Sequence, residues 1–416
     1  MIQAPKGTFD VLPADAERRS VLESHAARIL GAAGYGRIET PTFEATELFA
    51  RGVGEATDIV QKEMYTFDDG GGRSLTLRPE GTAPVCRAYM EHGMHKLAQP
   101  VKLWYLSSFF RAEAPQRGRY RQFWQIGAEV IGSASPESDA ELILLLADVL
   151  EAAGAREPRL LISSLGTPAT RAEYREELTA FLKAHADELS PEVVQRIDLN
   201  PLRAFDAKDP ATQRTMREAP KLLDRLSPED AEHFQRVREM LDDADLSYEL
   251  EPTLVRGLDY YTRTVYEFTS EALGAAQSTI GGGGRYDGLI EALGGPSTPA
   301  SGWAAGVERI LLASPEPPAV ASPVDLFVAI AAPDPTAART AFNLVSEARR
   351  AGLSAQLELA GRSLKGQLKQ ADRVGARYVA LVGDGSPVAF KQMDTGEQTD
   401  LDRDAVIPTI LRGSRL

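Results

Sequence analysis

Three segments of the chain bring together charged, aromatic and glycine residues in patterns that suit ligand chemistry. The first is Leu77-Arg78-Pro79-Glu80-Gly81-Thr82, which ends a strand pattern and opens a helix pattern. A carboxylate at such a corner is a strong charge-assisted acceptor and could hold an ammonium group. The plainer reading is a turn in which Thr82 caps the helix. The second runs from Phe109 to Glu129. On a strand, Phe123, Gln125, Gly127 and Glu129 recur every second residue and share one face. An aromatic ring, an amide, a glycine and a carboxylate suit a pocket that stacks a flat ring and hydrogen-bonds a polar substrate. Arg111, Arg117, Arg119 and Arg121, just before that face, offer planar forks for phosphate. An exposed basic hairpin is the alternative. The third segment is 254–264 (LVRGLDYYTRT), followed by 281–288 (GGGGRYDG). Glycines let backbone approach a ligand or a neighbouring strand, and a bulge or tight turn explains them equally well. Tyr260 and Tyr261, if on a strand, would point opposite ways, so only one should face a given pocket.

Several familiar sites are missing. The sequence has no G-x-x-x-x-G-K-[ST], no G-x-G-x-x-G after a strand, no H-E-x-x-H and no G-x-S-x-G. His92 and His95 lie one helical turn apart without a third ligand nearby, and read as solvated surface residues. The single cysteine, Cys86, excludes an internal disulfide framework and a Cys-based zinc site. No metal site is expected among the side chains.

The elements that must position these residues fall into two styles. Residues 13–33 read as an amphipathic helix ending at Gly34, residues 64–67 and 74–77 as a hairpin, and 82–94 as a helix. Two long strands, 101–111 and 120–131, joined by a polar loop, imply an antiparallel sheet. Residues 168–245 are mostly helical and charged, with helix starts at Ser190-Pro191 and Ser227-Pro228. Strands resume at 248–251, 262–269 and 277–280, so the helical block reads as an insertion into one sheet. Residues 313–323 hold four prolines in eleven positions and read as a stiff linker. Beyond it, strands at 324–330, 354–357 and 378–382 alternate with helices at 335–351 and 362–370. That order implies a small α/β domain with a largely parallel sheet. The expected domains are therefore 1–321, containing the 168–245 insertion, and 322–416.

Composition bounds the function. With 416 residues, 43% apolar and 25% charged, the chain fits a soluble protein of two or three domains. No apolar run approaches the ~18 residues of a membrane helix, and the opening residues lack a secretory pattern. A cytoplasmic location without a membrane partner is expected. The net charge of −14 is unevenly spread. Residues 322–416 carry 12 Lys and Arg against 11 Asp and Glu, and the remainder 34 against 49. A near-neutral tail and a locally basic loop permit an RNA partner without requiring one.

Taken together, these segments resemble those of histidyl-tRNA synthetases, a class II aminoacyl-tRNA synthetase family, over nearly the whole chain. Ile38-Glu39-Thr40-Pro41 with the preceding helix is similar to motif 1, including the family's dimer-interface proline. Phe110-Arg111-Ala112-Glu113 through Arg121-Gln122-Phe123 resembles motif 2, and Gly302-Trp303 through Glu308-Arg309 resembles motif 3. The pair 254–261 (LVRGLDYY) and 282–288 (GGGRYDG) resembles the two histidine-specific motifs. The resemblance implies an α+β catalytic domain with an antiparallel sheet, a helical insertion and a C-terminal α/β anticodon-binding domain. It implies a homodimer whose substrates are L-histidine, ATP with Mg²⁺, and tRNA(His). Glu80, Thr82 and Gln125 would hold the α-amino group. Glu129 and Tyr261 would bond the imidazole, with Tyr260 and Tyr286 in the same pocket. Arg256 would meet the substrate carboxylate and α-phosphate, and Arg111 the α-phosphate; these two carry the catalytic assignment. Glu113 would contact the adenine, Arg119 the outer phosphates, and Phe123 and Arg309 would sandwich the base. Ala114, Trp124 and Trp303 depart from residues common in the family. Trp124 falls on the strand face opposite Phe123 and should pack in the core. Paralogues that regulate the first enzyme of histidine biosynthesis are the alternative, but they usually lack the anticodon domain and parts of the motifs. A non-catalytic RNA-binding or nutrient-sensing module is a third reading.

Overall fold

The computed structural model describes residues 2–413 except 55–56, 208, 255–256, 275–277, 316–323, 332–333, 384 and 386, and the side chains of Arg203 and Asp206. The chain divides into two compact units, Met1–Pro315 and Glu316–Leu416.

The first unit opens with helix α1 (Pro13–Ala32), whose Leu22, Ala26 and Leu30 recur every fourth residue and form its buried stripe. Strand β1 (Gly36–Arg37) follows, then β2 (Phe43–Ala45), α2 (Thr46–Val53), β3 (Tyr65–Asp68) and β4 (Ser74–Leu77). The expected hairpin is β3–β4. Its turn closes on Asp69, whose Oδ1 accepts from the backbone N–H of Gly71 and Arg73. With β2 it makes a separate sheet ordered β2-β4-β3. Helix α3 (Thr82–Glu91) leads to β5 (Val101–Phe110) and β6 (Gln122–Ile131), paired antiparallel from Val101↔Ile131 to Phe110↔Gln122.

After α4 (Pro136–Ala152) and β7 (Arg159–Ser164) comes the helical block: α5 (Pro168–Ala184), α6 (Pro191–Arg196), α7 (Pro210–Glu218) and α8 (Pro228–Asp243). Each begins on a proline, whose fixed φ suits the first helical position. Thr167, Asp209 and Ser227 cap α5, α7 and α8 by accepting a helix N–H. The block has its own apolar core, with Tyr174, Leu178, Leu182, Ile197, Met216 and Leu222. Helix α8 is different. Its Phe234, Val237 and Leu241 belong to the core of the main sheet with residues of α4.

The chain then supplies β8 (Glu249–Leu250), β9 (Thr262–Thr269), β10 (Thr279–Arg285), α9 (Leu289–Ala292), β11 (Ala300–Gly306) and α10 (Val307–Ala313). The main sheet has eight strands in the order β1-β5-β6-β11-β10-β9-β7-β8. Only the edge pairs β1/β5 and β7/β8 are parallel. One face packs Ile126, Ala128, Val130, Trp303 and Phe268 with residues of α1, α4, α8 and α10, and the half-buried Trp124 joins them as expected. On the other face, Val85 and Tyr89 of α3 pack with Tyr105, Phe109 and Tyr286. The sequence placed a strand at 277–280, of which Gln277 lies outside the described residues. The structure runs β10 on through all four glycines, because its neighbour leaves no room for side chains: a Cβ on Gly283 would sit 2.0 Å from the Gly302 carbonyl oxygen.

The second unit comprises β12 (Leu326–Ile330), α11 (Pro335–Arg350), β13 (Ala355–Leu357), α12 (Leu364–Arg373), β14 (Tyr378–Val382), β15 (Val388–Gln392), β16 (Gln398–Leu401) and α13 (Val406–Gly413). The sheet order is β13-β12-β14-β15-β16. Strands β13, β12 and β14 are parallel as expected, but β15 and β16 add an antiparallel hairpin that the sequence reading lacked. The sheet is therefore mixed. Strand β16 carries mostly exposed polar residues (Gln398, Thr399, Asp400), so hydrophobic alternation could not reveal it.

Candidate functional site

A cavity of about 350 Å³ opens in the first unit, and most of the chemistry-bearing segments meet on it. The corner between β4 and α3 supplies Glu80 and Thr82. Glu80 is buried, and its two oxygens accept from the backbone N–H of Thr82 (2.7 Å) and Ala83 (2.9 Å). Glu80, not Thr82, thus takes the orphan donors at the start of α3, where the positive end of the helix favours an anion. Burial raises its pKa, while those N–H groups and Arg111 act in the other direction. The Thr82 hydroxyl is left to turn inward.

It donates to Glu129 Oε1 at 2.9 Å. Glu129, on β6, is fully buried and also accepts from the hydroxyls of Tyr286 and, at 3.4 Å, Tyr105. Burial pushes its pKa up to about 8, against the pull of the hydroxyl donors, and the nearby Glu80 adds to the rise. Its room comes from the facing strand: a Cβ on Gly302 would lie 1.7 Å from Glu129 Oε2. Glu129 and Tyr286 are not on the cavity wall but lie next to it, in contact with the wall residues Thr82 and Tyr105 and with one another.

Both Tyr260 and Tyr261 line the cavity, their rings 4.8 Å apart, with Tyr286 5.5 Å from Tyr260. The expectation that only one could face the pocket is corrected. Strand β9 begins at Thr262, so both tyrosines precede it and are not subject to strand alternation. Gln125 joins the same wall, its Oε1 buried without a hydrogen-bond partner among the described residues.

The other end of the cavity is rich in arginine. Arg111 donates from Nε to the Pro79 carbonyl (2.9 Å), and its guanidinium lies 5.3 Å from the Phe123 ring centre. Arg119 pairs with Glu113 at 2.7 Å. Arg309, from α10, donates to the carbonyls of Gly118 (2.9 Å) and Thr279 (2.8 Å) and shares the wall with Phe123. Planar forks, an aromatic face and a carboxylate therefore stand in one part of the wall, and the buried Glu80 with two tyrosines in another, with Glu129 behind it. Such a cavity can take a polyanion with a flat base beside a small cationic or hydrogen-bonding group. Arg256 lies outside the described residues; its neighbour Gly257 is on the wall. Among the described residues no cluster of three or more His, Cys, Asp or Glu could hold a metal ion. His92 and His95 are exposed, as the sequence suggested.

A family model described as histidyl-tRNA synthetase matches residues 7–310. The chain belongs to the histidyl-tRNA synthetase family. A second model, an anticodon binding domain, matches residues 327–412. The chain is similar to a histidine–tRNA ligase from Rubrobacter xylanophilus, 48% identical with 95% of each protein covered. One from Desulforudis audaxviator is 46% identical with 100% of each covered. The solved structure of apo S. aureus histidyl-tRNA synthetase superposes with a TM-score of 0.82 at 36% identity, covering 99% of this chain and 100% of that one.

Tyr105 also lines the wall and is not among the residues the sequence singles out. It lies on β5, paired with Gly127 of the ligand face, and its hydroxyl reaches Glu129. The ligand face of β6 continues across the pair to Ser107 and Tyr105 of β5, a signal that lies between strands and not along one of them. Glu267 and Thr279, joined by a 3.0 Å hydrogen bond, also line the cavity without an earlier signal.

Proposed function

We propose that the chain is a histidine–tRNA ligase, converting ATP, L-histidine and tRNA(His) to AMP, diphosphate and L-histidyl-tRNA(His). The observation that carries this reading is the convergence on one cavity of phosphate-matching arginines and the buried Glu80, with Glu129 directly behind its wall, in a chain of this family. Glu80, Thr82 and Gln125 hold the substrate α-amino group. Glu129 and Tyr261 bond the imidazole, which has one donor and one acceptor nitrogen, and Tyr260 and Tyr286 complete that pocket. Glu113 contacts the adenine between Phe123 and Arg309, while Arg119 meets the outer phosphates. ATP enters with its Mg²⁺ as substrate, and no zinc takes part.

The histidine carboxylate oxygen attacks the α-phosphorus, and the bond to the bridging oxygen breaks, giving histidyl-adenylate and pyrophosphate. Arg111 and Arg256 stabilise the charge developing on the α-phosphate. The 3′-hydroxyl of the terminal tRNA adenosine then attacks the acyl carbon, and AMP leaves. The protein's part is geometry and charge, with no covalent enzyme intermediate. The C-terminal domain, residues 322–416, takes the anticodon arm. The enzyme acts in the cytoplasm; no described helix is long and apolar enough to cross a membrane. It works as a homodimer, a reading supported by Phe43 and Phe67, exposed with rings 6.0 Å apart, beside the exposed Pro41 of motif 1.

The test is histidine-dependent exchange of pyrophosphate into ATP, followed by charging of a tRNA(His) transcript. Both activities are expected. A regulatory paralogue would bind histidine without exchange, and that outcome would remove the ligase assignment.

A further inference from the structure

The loop between β5 and β6, residues 111–121, carries Glu113, Arg119 and Tyr120 to the arginine-rich part of the cavity wall. Apart from a bridge between Gln116 and Arg119 it has no regular structure of its own. Braces from other segments hold each of its parts. The outgoing limb donates from Ala112 N–H to the Glu63 carbonyl (2.8 Å), and at the tip the Gly118 carbonyl accepts from Arg309 Nε (2.9 Å). The returning limb leans on residues 5–9, ahead of α1. Arg121 donates from its N–H to the Gly7 carbonyl (2.8 Å) and from Nη1 to the Lys6 carbonyl (3.3 Å). The Tyr120 ring lies 4.6 Å from that of Phe9.

Local sequence shapes this strap. Pro5-Lys6-Gly7-Thr8 closes as a turn, in which Thr8 donates from its N–H (3.0 Å) and from Oγ1 (2.8 Å) to the Pro5 carbonyl. Gly7, at the third position, has a φ of 91°, which glycine adopts without steric cost. Space also demands glycine, since a Cβ there would lie 2.7 Å from Arg121 Cγ. The turn thus presents the carbonyls of Lys6 and Gly7 to the loop and carries the chain on to Phe9. Phe9 also meets Arg19 of α1, whose guanidinium is 5.7 Å from its ring centre. Arg19 pairs with Glu308, which accepts from Trp124 N–H (3.0 Å) and lines the cavity beside Arg309. One ring therefore stands between Tyr120 of the loop and the Arg19–Glu308 pair next to Arg309.

We propose that residues 5–9 are a positioning element for the ATP side of the cavity, with Gly7 and Phe9 fixing where the returning limb presents Arg119 and Tyr120. This rests on the ligase reading, in which Arg119 meets the outer phosphates and Arg309 the base. A loop held in its binding geometry by the fold spares the ligand the cost of ordering it, and that saving appears as affinity. The histidine side is held by other groups: Glu80, Thr82 and Glu129 draw their hydrogen bonds from the start of α3, Tyr105 and Tyr286. Phe9 is 41% exposed, so removing its ring costs the fold little, and a change in ATP affinity then reports position.

The test uses the full-length enzyme with Phe9→Ala, Phe9→Tyr and Gly7→Ala. ATP and histidine KM are measured in pyrophosphate exchange, ATP dissociation constants by calorimetry, and thermal midpoints alongside. Phe9→Ala should raise ATP KM by roughly 3- to 10-fold, the worth of one aromatic pair, while histidine KM stays within about twofold. Gly7→Ala, whose methyl would force the turn away from Arg121, should act in the same direction at least as strongly. Phe9→Tyr keeps the ring and should stay near the parent. ATP dissociation constants should move with ATP KM. Unchanged ATP KM in both alanine variants, an equal rise in both KM values, or Phe9→Tyr as impaired as Phe9→Ala would overturn the inference. So would a loss of thermal stability as the only effect. Absence of histidine-dependent exchange in the parent would instead sink the ligase reading, and the ATP dissociation constants would still decide the role of residues 5–9.

Discussion

Replacing Glu129 with Gln should make the unliganded protein more stable at neutral pH while damaging its use of histidine. In the unfolded chain this carboxyl ionises near its ordinary 4.5, whereas burial in the fold holds it near 8. Below pH 4.5 both states carry the proton and the group makes no pH-dependent difference. Between 4.5 and 8 the folded protein keeps a proton that the unfolded chain has released. Stability therefore falls as pH rises, at about 1.4 kcal/mol per pH unit. At pH 7 the accumulated cost is roughly 3 kcal/mol, and above pH 8 it stops growing. Glutamine is never ionised, so it is spared this cost, while its amide can still meet the hydroxyls of Thr82, Tyr105 and Tyr286. Any difference in hydrogen-bond quality is a constant offset, so the slope with pH is the diagnostic. Thermal midpoints of parent and Glu129→Gln should be compared at pH 5, 6, 7 and 8. The variant's advantage should widen across that series, to on the order of 5 °C at pH 7. In exchange assays the same variant should raise histidine KM by roughly 5- to 10-fold, the worth of a hydrogen bond between neutral groups. ATP KM should be unchanged. A stability difference that stays flat from pH 5 to 8 would refute the claim that Glu129 is held protonated by burial.

Three other outcomes are expected. Arg256→His should lower adenylate formation by ~10²–10³, with a smaller effect on transfer from preformed adenylate; Arg256→Lys should recover only part of the loss. Near-normal exchange per folded molecule in Arg256→His would show that this arginine is not at the reacting phosphate. A fragment ending at Pro315 should still exchange pyrophosphate but charge tRNA poorly, and equal charging by the fragment and the full chain would remove the anticodon role from the second unit. Gly302→Ala should abolish histidine-dependent exchange, because its methyl would lie 1.7 Å from Glu129 Oε2; unaltered histidine KM in that variant would show that the space behind the wall is not needed.

Much of the site could be read without coordinates because its signals are local. Alternation along β6 put Phe123, Gln125 and Glu129 on one face and Trp124 on the other, and the structure places them so. Ser-Pro starts located α6 and α8, since a helix start is decided within a few residues; at α8 the Ser227 side chain also caps the helix. Other features depended on partners distant in the chain. The glycine run fitted a bulge or tight turn as well as a close approach of backbone, and only the pairing with β11 decided that it is a strand. Helix α8 reads as one more amphipathic helix of the inserted block. Whether its apolar stripe packs on the block or on α4 is not encoded in its period, and the structure puts it on α4. Tyr105 became a site residue through cross-strand pairing with Gly127. The unusual carboxyl of Glu129 could not be inferred from its type, because its acidity is set by burial among Thr82, Tyr105 and Tyr286, which arrive from three other segments. Periodicity and capping report what a stretch of backbone prefers; which faces meet, and how dry the space between them becomes, is decided when those stretches pack together.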